Sequence, residues 1–218
     1  MDRARFIALW QRTHDMAACC RGEEAFEQLD RRYNECCRHY HDGEHIKQML
    51  EWFDPYRGEA QDPDAVELAI WFHDACYGNE PQGHESRSAA LFRSLSGEGM
   101  PTRRQQRVVD LIMATTHQGP PGTDDEALVV DVDLSSFARS WHAFLKDTVR
   151  CRAEKQDVGD QEFCTCQLGF LRTLRARESI YYSAPFQARH EADARANIDH
   201  LIHLLELRQR RLSASANG

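Results

Sequence analysis

The segment "DPDAVELAIWFHD", residues 62–74, ends an apolar run with two ionisable side chains. Asp62 is a typical helix N-cap and Pro63 suits the first helical position, so the pattern predicts a helix that begins here. The apolar face of this helix ends in His73. Because burying an unpaired charge is costly, His73 and Asp74 have to be paired, neutralised or coordinated to a cation.

This pair fits two interpretations. In the first, His73 is a hydrogen-bonded core histidine, and Asp74 is a local cap or ion-pair partner. In the second, both side chains bind one metal ion. Ionisable pairs in apolar surroundings indicate function only as a tendency, so other segments have to distinguish the two.

Helical periodicity dominates the rest of the chain and predicts an all-α fold. Thr102 and Gln105 have the spacing of a capping box. Residues 127–134, "ALVVDVDL", fit a short strand or a helix.

No repeat or composition break divides the chain. The sequence therefore predicts one domain over 1–218, with a core at about 30–205 and a frayed C-terminal tail. Further helices are predicted in residues 2–17, 43–54, 84–95, 101–117, 139–158 and 197–211.

Composition limits the class of protein. The 218 residues are 41% hydrophobic and 28% charged, with a formal net charge of −8, which is typical of a globular protein. The negative charge argues against general nucleic-acid binding, because that needs clustered Lys and Arg. No segment approaches the roughly twenty apolar residues of a membrane span, and the charged N-terminus is unlike a signal peptide. A cytoplasmic protein is expected.

Several of the eight cysteines are sequence neighbours, at 19–20, 36–37 and 164–166. Such neighbours rarely form disulfides, and no C-x-x-C pair predicts a zinc ribbon. They are interpreted as reduced thiols.

Other segments carry further imidazoles and carboxylates. In "RHYHDGEHI", residues 38–46, His41 and His45 lie four apart and share a face if both are helical. If Gly43 breaks the helix, only one of them has to point into a site. In "VVDVDLSSF", residues 129–137, two aspartates could equally cap a helix. Two histidines and two carboxylates would neutralise a divalent cation and leave positions open for water and substrate.

This ordered set of motifs resembles the HD-domain metal-dependent phosphohydrolases. It is most similar to a subfamily with the pattern R-x-Y-H-N-x-x-H-I, A-I-W-F-H-D, N-E-x-x-S-A, T-x-x-H and D-A-D-L. The corresponding segments are "RHYHDGEHI", "AIWFHDACY", "HESRSA", "TTH" and "DVDLS", with "IYYSAPF" and "EADARANI" further on. The resemblance covers about residues 30–200. It implies a single-domain HD-type helical bundle with a central metal site.

The resemblance also implies roles for individual residues. The first motif is similar to the Y-H-N-x-x-H segment of cyclic-nucleotide phosphodiesterases, in which the first histidine donates a proton and the second binds metal. This makes His41 the general acid. The phosphodiesterase pattern A-D-L-S aligns with "VDLS" and favours Asp133 over Asp131 as the last ligand. The implied ligands of a divalent ion (Mn, Co, Ni, Fe, Zn or Mg) are His45, His73, Asp74 and Asp133.

The implied reaction is hydrolysis of a phosphate ester or anhydride of a small molecule, preferentially a nucleotide. Asp74 or Glu85 would accept the proton of the attacking water. Arg38 and Arg150 are candidate phosphate clamps, although surface ion pairs fit them too. His117 is a candidate phosphate contact or second-metal ligand, or a histidine at a helix end.

The sequence departs from the subfamily pattern at three places. Asp42 and His84 replace asparagines, and Cys166–Gln167 replaces a Gly-Arg pair. These changes spare the expected ligands and affect substrate contacts. Two alternatives stay open: a di-iron HD-type oxygenase with His84 and His117 as extra ligands, and a metal-stabilised nucleotide-binding regulatory module. A homodimer is also compatible with the sequence.

Overall fold

The computed structural model describes residues 1–15, 21–78 and 83–216. All regular structure in these ranges is helical, which confirms the all-α class. Residues 127–133, which fitted a strand or a helix, are helical. The chain forms two compact units, one within residues 1–133 and one from residue 134 onward. The single domain over 1–218 stays a prediction.

The first unit contains seven described α-helices and two short 3₁₀ segments. Two helices were not predicted: α2 (Gly22–Tyr33) in this unit and α9 (Asp160–Ala176) in the second unit. The elements are α1 (Arg3–Thr13), α2 (Gly22–Tyr33), α3 (Gly43–Phe53), a 3₁₀ segment (Asp54–Glu59), α4 (Pro63–Phe72), α5 (His84–Ser96), a 3₁₀ segment (Gly97–Gly99), α6 (Thr102–Ala114) and α7 (Asp124–Asp133).

Helix α4 lies at the centre of the first unit. Its eight residues from Ala65 to Phe72 are all buried, and it packs against α1, α3, α5, α6 and α7. The predicted start is confirmed, since an Asp62 carboxylate oxygen accepts the N–H of Ala65 at 3.1 Å and Pro63 is the first helical residue. The sequence predicted that a single apolar face of this helix is buried, whereas every residue from Ala65 to Phe72 is buried. A helix that is buried on every side is expected in the middle of a helical core.

The one acidic residue in this buried stretch, Glu67, is neutralised by two arginines. Its side chain is only 1% exposed and accepts from Arg5 Nε at 2.7 Å and from Arg57 Nη1. Since Arg5 lies on α1 and Arg57 in the 3₁₀ segment before α4, these ion pairs fix three elements to one another. Pairing of this kind offsets the desolvation of a buried carboxylate.

The predicted capping box at the start of α6 is wrong. Pro101 is the N-cap residue, and no side chain caps this end. The helix therefore begins one residue earlier than the motif requires, with Thr102 already inside it. Gln105 donates its side-chain amide to the carbonyl oxygen of Gly97 at 3.0 Å instead.

The second unit is built from three helices and a 3₁₀ segment. Its longest helix packs along its neighbour α9 and on the 3₁₀ segment. Asn197 of the longest helix donates to the carbonyl oxygens of Phe137 and Arg139 at 2.7 and 2.8 Å, which joins these parts. The elements are a 3₁₀ segment (Leu134–Ala138), α8 (Trp141–Ala153), α9 (Asp160–Ala176) and α10 (Ala184–Ala216).

Helix α10 continues through Ser213 to Ala216, where a frayed tail was predicted. Residues 217 and 218 of that tail lie outside the described residues. Among the six cysteines within the described ranges, no two are joined by a disulfide, and Cys19 and Cys20 lie outside those ranges. Among the described helices, none combines the length and apolar character needed to cross a membrane.

We expect Asp125 to be a major contributor to stability. Its buried carboxylate accepts the backbone N–H groups of Gln61 and Asp62 at 2.7 and 3.1 Å and the guanidinium of Arg107 at 2.9 Å. Asp125→Ala would leave these donors unpaired and lower the free energy of unfolding by about 2–4 kcal/mol, measured by urea denaturation. The exposed neighbour Asp124 is the control, since Asp124→Ala should cost below about 1 kcal/mol. Equal losses in the two variants would contradict this assignment.

Candidate metal centre

The His73–Asp74 pair lies where the buried helix α4 ends. His73 is the C-cap residue, and its Nδ1 lies 3.0 Å from the carbonyl oxygen of Ile70. A proton on Nδ1 donated to this carbonyl leaves Nε2 available as a ligand atom. Asp74 follows in the turn at residues 73–76. Both side chains are buried.

Asp42 determines where His45 lies. Its carboxylate oxygen accepts the N–H groups of Glu44 and His45 at 3.0 and 3.1 Å and so caps α3, which begins at Gly43. Asp42, which stands where the resembled subfamily pattern has asparagine, is therefore a helix cap. His41 precedes the helix and His45 is in its first turn, yet their ring centroids lie 5.7 Å apart.

Four side chains from α3, the end of α4 and the end of α7 converge. The Nε2 atom of His73 is 3.1 Å from Asp74 Oδ2 and 3.6 Å from Asp133 Oδ1. The Nε2 atom of His45 is 4.0 Å from Asp74 Oδ2 and 3.8 Å from Asp133 Oδ1. Asp133 thus supplies the carboxylate beside the two imidazoles, and Asp131 is fully buried within the same helix.

These residues fit a divalent metal ion. The Nε2 atoms of His45 and His73 are buried, and neither has a hydrogen-bond partner within the described parts of the chain. Buried nitrogens without partners are rare in folded proteins, and an ion would satisfy both. Ligand bonds of about 2.1 Å place neighbouring ligand atoms about 3.0–4.2 Å apart, which matches the distances above. The cluster of His45, His73 and Asp74 could therefore hold a metal ion. Asp133, the fourth ligand expected from the sequence, has its Oδ1 at 3.8 and 3.6 Å from the two imidazoles.

Protonation determines which of these side chains can bind a cation directly: His45 is neutral and Asp74 is ionised, whereas His73 first has to lose a proton. Burial disfavours protonated His45, and the charges of His73 and His41 add to this, so that its pKa falls to about 3. Burial opposes protonated His73 as well, but Asp74 and Asp133 outweigh it and raise the pKa to about 9. The pKa of Asp74 lies well below its usual range, because His73 and His41 outweigh burial.

His117 orients one of the carboxylates. Its Nε2 lies 2.9 Å from Asp133 Oδ2, whereas Asp133 Oδ1 faces the two imidazoles. The sequence left three roles open for His117: a phosphate contact, a second-metal ligand and a histidine at a helix end. In the structure His117 contacts Asp133, an expected ligand, and such partners are common for metal-binding carboxylates. His117 also has a φ of 54°, in the left-handed region that glycine prefers, and such strain often marks functional positions.

The predicted proton-transfer residues lie on the more exposed side of Asp74. His41 Nε2 is 3.9 Å from Asp74 Oδ2. His84 Nε2 is 3.3 Å from Asp74 Oδ1 and 3.2 Å from Glu85 Oε1. Sequence reasoning missed Tyr77, whose ring is stacked on that of His41 with centroids 4.0 Å apart. The only sequence signal for a role of Tyr77 is its aromatic side chain three positions after Asp74.

The two predicted phosphate clamps have different surroundings. The side chain of Arg38 is 1% exposed, and protein acceptors take all five of its N–H groups, so none is left for a phosphate. Arg150 lies on α8 in the second unit, where its charge acts on the carboxylate of Asp147. Its contact with substrate stays a prediction.

In comparisons with protein-family models, curated proteins and solved structures, none matched the chain. The resemblance to HD-domain phosphohydrolases therefore stays a prediction. The described geometry defines a coarser class, an all-α protein with a buried His/Asp cluster that could hold a metal ion.

We expect His117→Asn to weaken metal binding without unfolding the protein. Asparagine tolerates the left-handed conformation but lacks the ring nitrogen that holds Asp133. Loss of such a partner typically weakens affinity by about 10–100-fold. Competition with a chromophoric chelator measures the affinity for Zn²⁺, and His203→Asn at an exposed position is the control. Unchanged Zn²⁺ affinity in His117→Asn would refute this role.

Metal binding should also release a proton from His73. At pH 7 its pKa of about 9 keeps it protonated, whereas His45, with a pKa of about 3, is already neutral. Binding should therefore release about one proton at pH 7, and fewer as the pH rises through 9. By the same linkage, the raised pKa stabilises the metal-free fold fully below pH 6.5, and this contribution is lost as the pH rises through 9.

Titration calorimetry with Zn²⁺ in buffers of different ionisation enthalpy counts the protons released. The variant Asp124→Ala, with its substitution at an exposed position, should release the same number. Zn²⁺ binding at pH 7 without proton release would show that His73 is neutral in the metal-free protein.

Proposed function

We propose that this protein is an HD-type metal-dependent phosphohydrolase that acts on a phosphate ester or anhydride of a small molecule, preferentially a nucleotide. The observation that carries the proposal is the convergence of His45, His73, Asp74 and Asp133, with candidate proton-transfer groups next to Asp74. The ordered sequence motifs support the same function.

A divalent ion bound by these four residues would lower the pKa of a water molecule and neutralise charge on phosphate oxygens. The protein contributes the arrangement of the ligand atoms. The Ile70 carbonyl oxygen fixes the ring of His73, and His117 turns Oδ1 of Asp133 toward the imidazoles. Exclusion of water from these buried side chains strengthens their electrostatic interactions.

Three side chains on the more exposed side of Asp74 can accept or donate protons: Glu85, His84 and His41. Glu85 and His84 contact each other at 3.2 Å, and their side chains are 13% and 22% exposed, so they can take a proton from an attacking water and pass it to solvent. His41 is 20% exposed and held by its stack on Tyr77, so it can give a proton to the leaving oxygen. General acid–base catalysis of this kind contributes about 10²–10⁴ in rate.

The test is hydrolysis of a panel of nucleoside mono-, di- and triphosphates, cyclic nucleotides and p-nitrophenyl phosphate, with Mn²⁺, Co²⁺ or Mg²⁺. Chromatographic separation of the products detects phosphate, pyrophosphate and the monophosphates formed when cyclic nucleotides are opened. We expect metal-dependent hydrolysis. Asp133→Ala should lose bound metal and activity together, whereas His41→Gln should keep the metal and lose about 100-fold or more in kcat. Asp124→Ala should retain both properties. Protein with bound metal that hydrolyses none of these compounds would overturn the proposal.

The second candidate function is that of a di-iron oxygenase, and one contact favours it. His84 lies 3.3 Å from Asp74 Oδ1, so that Asp74 could be shared between two ions. The Nε2 atom of His117, the other expected extra ligand, is hydrogen-bonded to Asp133 instead.

Metal content distinguishes the two enzymes. Two irons per chain with a mixed-valence signal would favour the oxygenase, and one exchangeable divalent ion would favour the hydrolase. A nucleotide that raises the Tm without being turned over would favour the regulatory module.

A further inference from the structure

The guanidinium of Arg38 connects two segments that carry the metal centre. Its side chain is almost completely buried, and each of its five N–H groups has an acceptor. The acceptors are Glu35 Oε2 at 3.1 Å from Nε, the carbonyl oxygens of His41 and Asp74 at 2.9 and 2.8 Å from Nη1, and those of Ala75 and Tyr77 at 3.0 and 2.9 Å from Nη2.

These carbonyls belong to two segments outside the helices. Residues 38–42 precede α3 and carry His41 and the cap Asp42, and residues 73–77 follow α4 and carry two expected ligands. Buried backbone carbonyls need donors, which outside helices come from turns, side chains or water. The Asp74 carbonyl accepts the N–H of Tyr77 at 3.0 Å within its own turn, and Arg38 donates both to this carbonyl and to that of His41 in the other segment. Arg38 therefore connects the two segments directly.

Only arginine suits this place. Its planar fork offers five donors in fixed directions, whereas lysine offers three from a single atom. The cation also lies 5.1 Å from the ring centroid of Tyr33 and 6.0 Å from that of Tyr77. Since Tyr77 stacks on His41, the same guanidinium supports the ring that holds the candidate acid.

We propose that Arg38 is a positioning residue of the metal centre: it holds the segment of Asp74 against the segment of His41, so that metal affinity depends on a guanidinium at this position. This inference replaces the phosphate clamp expected from the sequence. Its catalytic consequence rests on the proposed function, but its effect on metal binding does not.

The test uses the full chain and Co²⁺, whose visible absorption spectrum reports the ligand geometry. Arg38→Lys and Arg38→Ala should weaken Co²⁺ binding at least about tenfold and alter the spectrum. The matched variants are Arg57→Lys and Arg57→Ala, because the Arg57 guanidinium also pairs with carboxylates and lies 5.6 Å from an aromatic ring centroid, at Phe53. They should lower stability to urea and leave Co²⁺ affinity and spectrum unchanged. If Arg38→Ala does not fold, Arg38→Lys carries the test.

A rescue experiment separates positioning from general stability. Millimolar guanidinium should restore Co²⁺ affinity and spectrum to Arg38→Ala, and methylammonium should not, because it lacks the planar fork. Co²⁺ affinity that is unchanged in both Arg38 variants, or that falls equally in the Arg57 variants, would overturn the proposal. An increased KM for a phosphate substrate with unchanged Co²⁺ binding would restore the phosphate clamp. If no compound of the substrate panel is hydrolysed, the proposed hydrolase function is overturned, whereas the Co²⁺ result still decides the role of Arg38.

Discussion

Burial of α4 from Ala65 to its end is the constraint on which the candidate site depends. Five other helices pack against this helix, and the ionisable side chains of His73 and Asp74 lie buried where it ends. The carbonyl end of a helix attracts positive charge, which agrees with the raised pKa of His73. The two side chains contact each other at 3.1 Å, and partners from other segments complete their surroundings: His45, Asp133 and the groups around them.

Each expected ligand is held by a residue that lies outside the ligand set. Asp42 caps the helix of His45, the Ile70 carbonyl fixes His73, and His117 orients Asp133. Arg38 binds the carbonyl oxygen of Asp74 itself. Because these contacts constrain the ligands before any ion arrives, the entropy lost on binding is reduced, which is the general advantage of a preorganised site.

The sequence predicted the parts of the site that have a local signal. A histidine and an aspartate at the end of an apolar helix are recognisable from burial alone, and the all-α class followed from periodicity. The choice between Asp131 and Asp133 could not follow from periodicity, because both lie in one helix and the choice depends on where α7 ends against other segments. Arg38 was misjudged because its acceptors are backbone carbonyls, which every residue has. Helix α2 was not predicted, because its many charged residues make the helical spacing of its few apolar residues hard to recognise. Those apolar residues are buried, and the helix packs against α1.

The position of Asp133 has a consequence for how the protein is made. Three of the four expected ligands lie within thirty residues of one another, whereas Asp133 is the last residue of α7 and of the first unit. During synthesis on the ribosome, His45, His73 and Asp74 therefore emerge well before Asp133. If all four residues form the proposed metal site, that site is complete only after α7 has been synthesised and has docked, and the first three residues alone hold an ion less tightly before then.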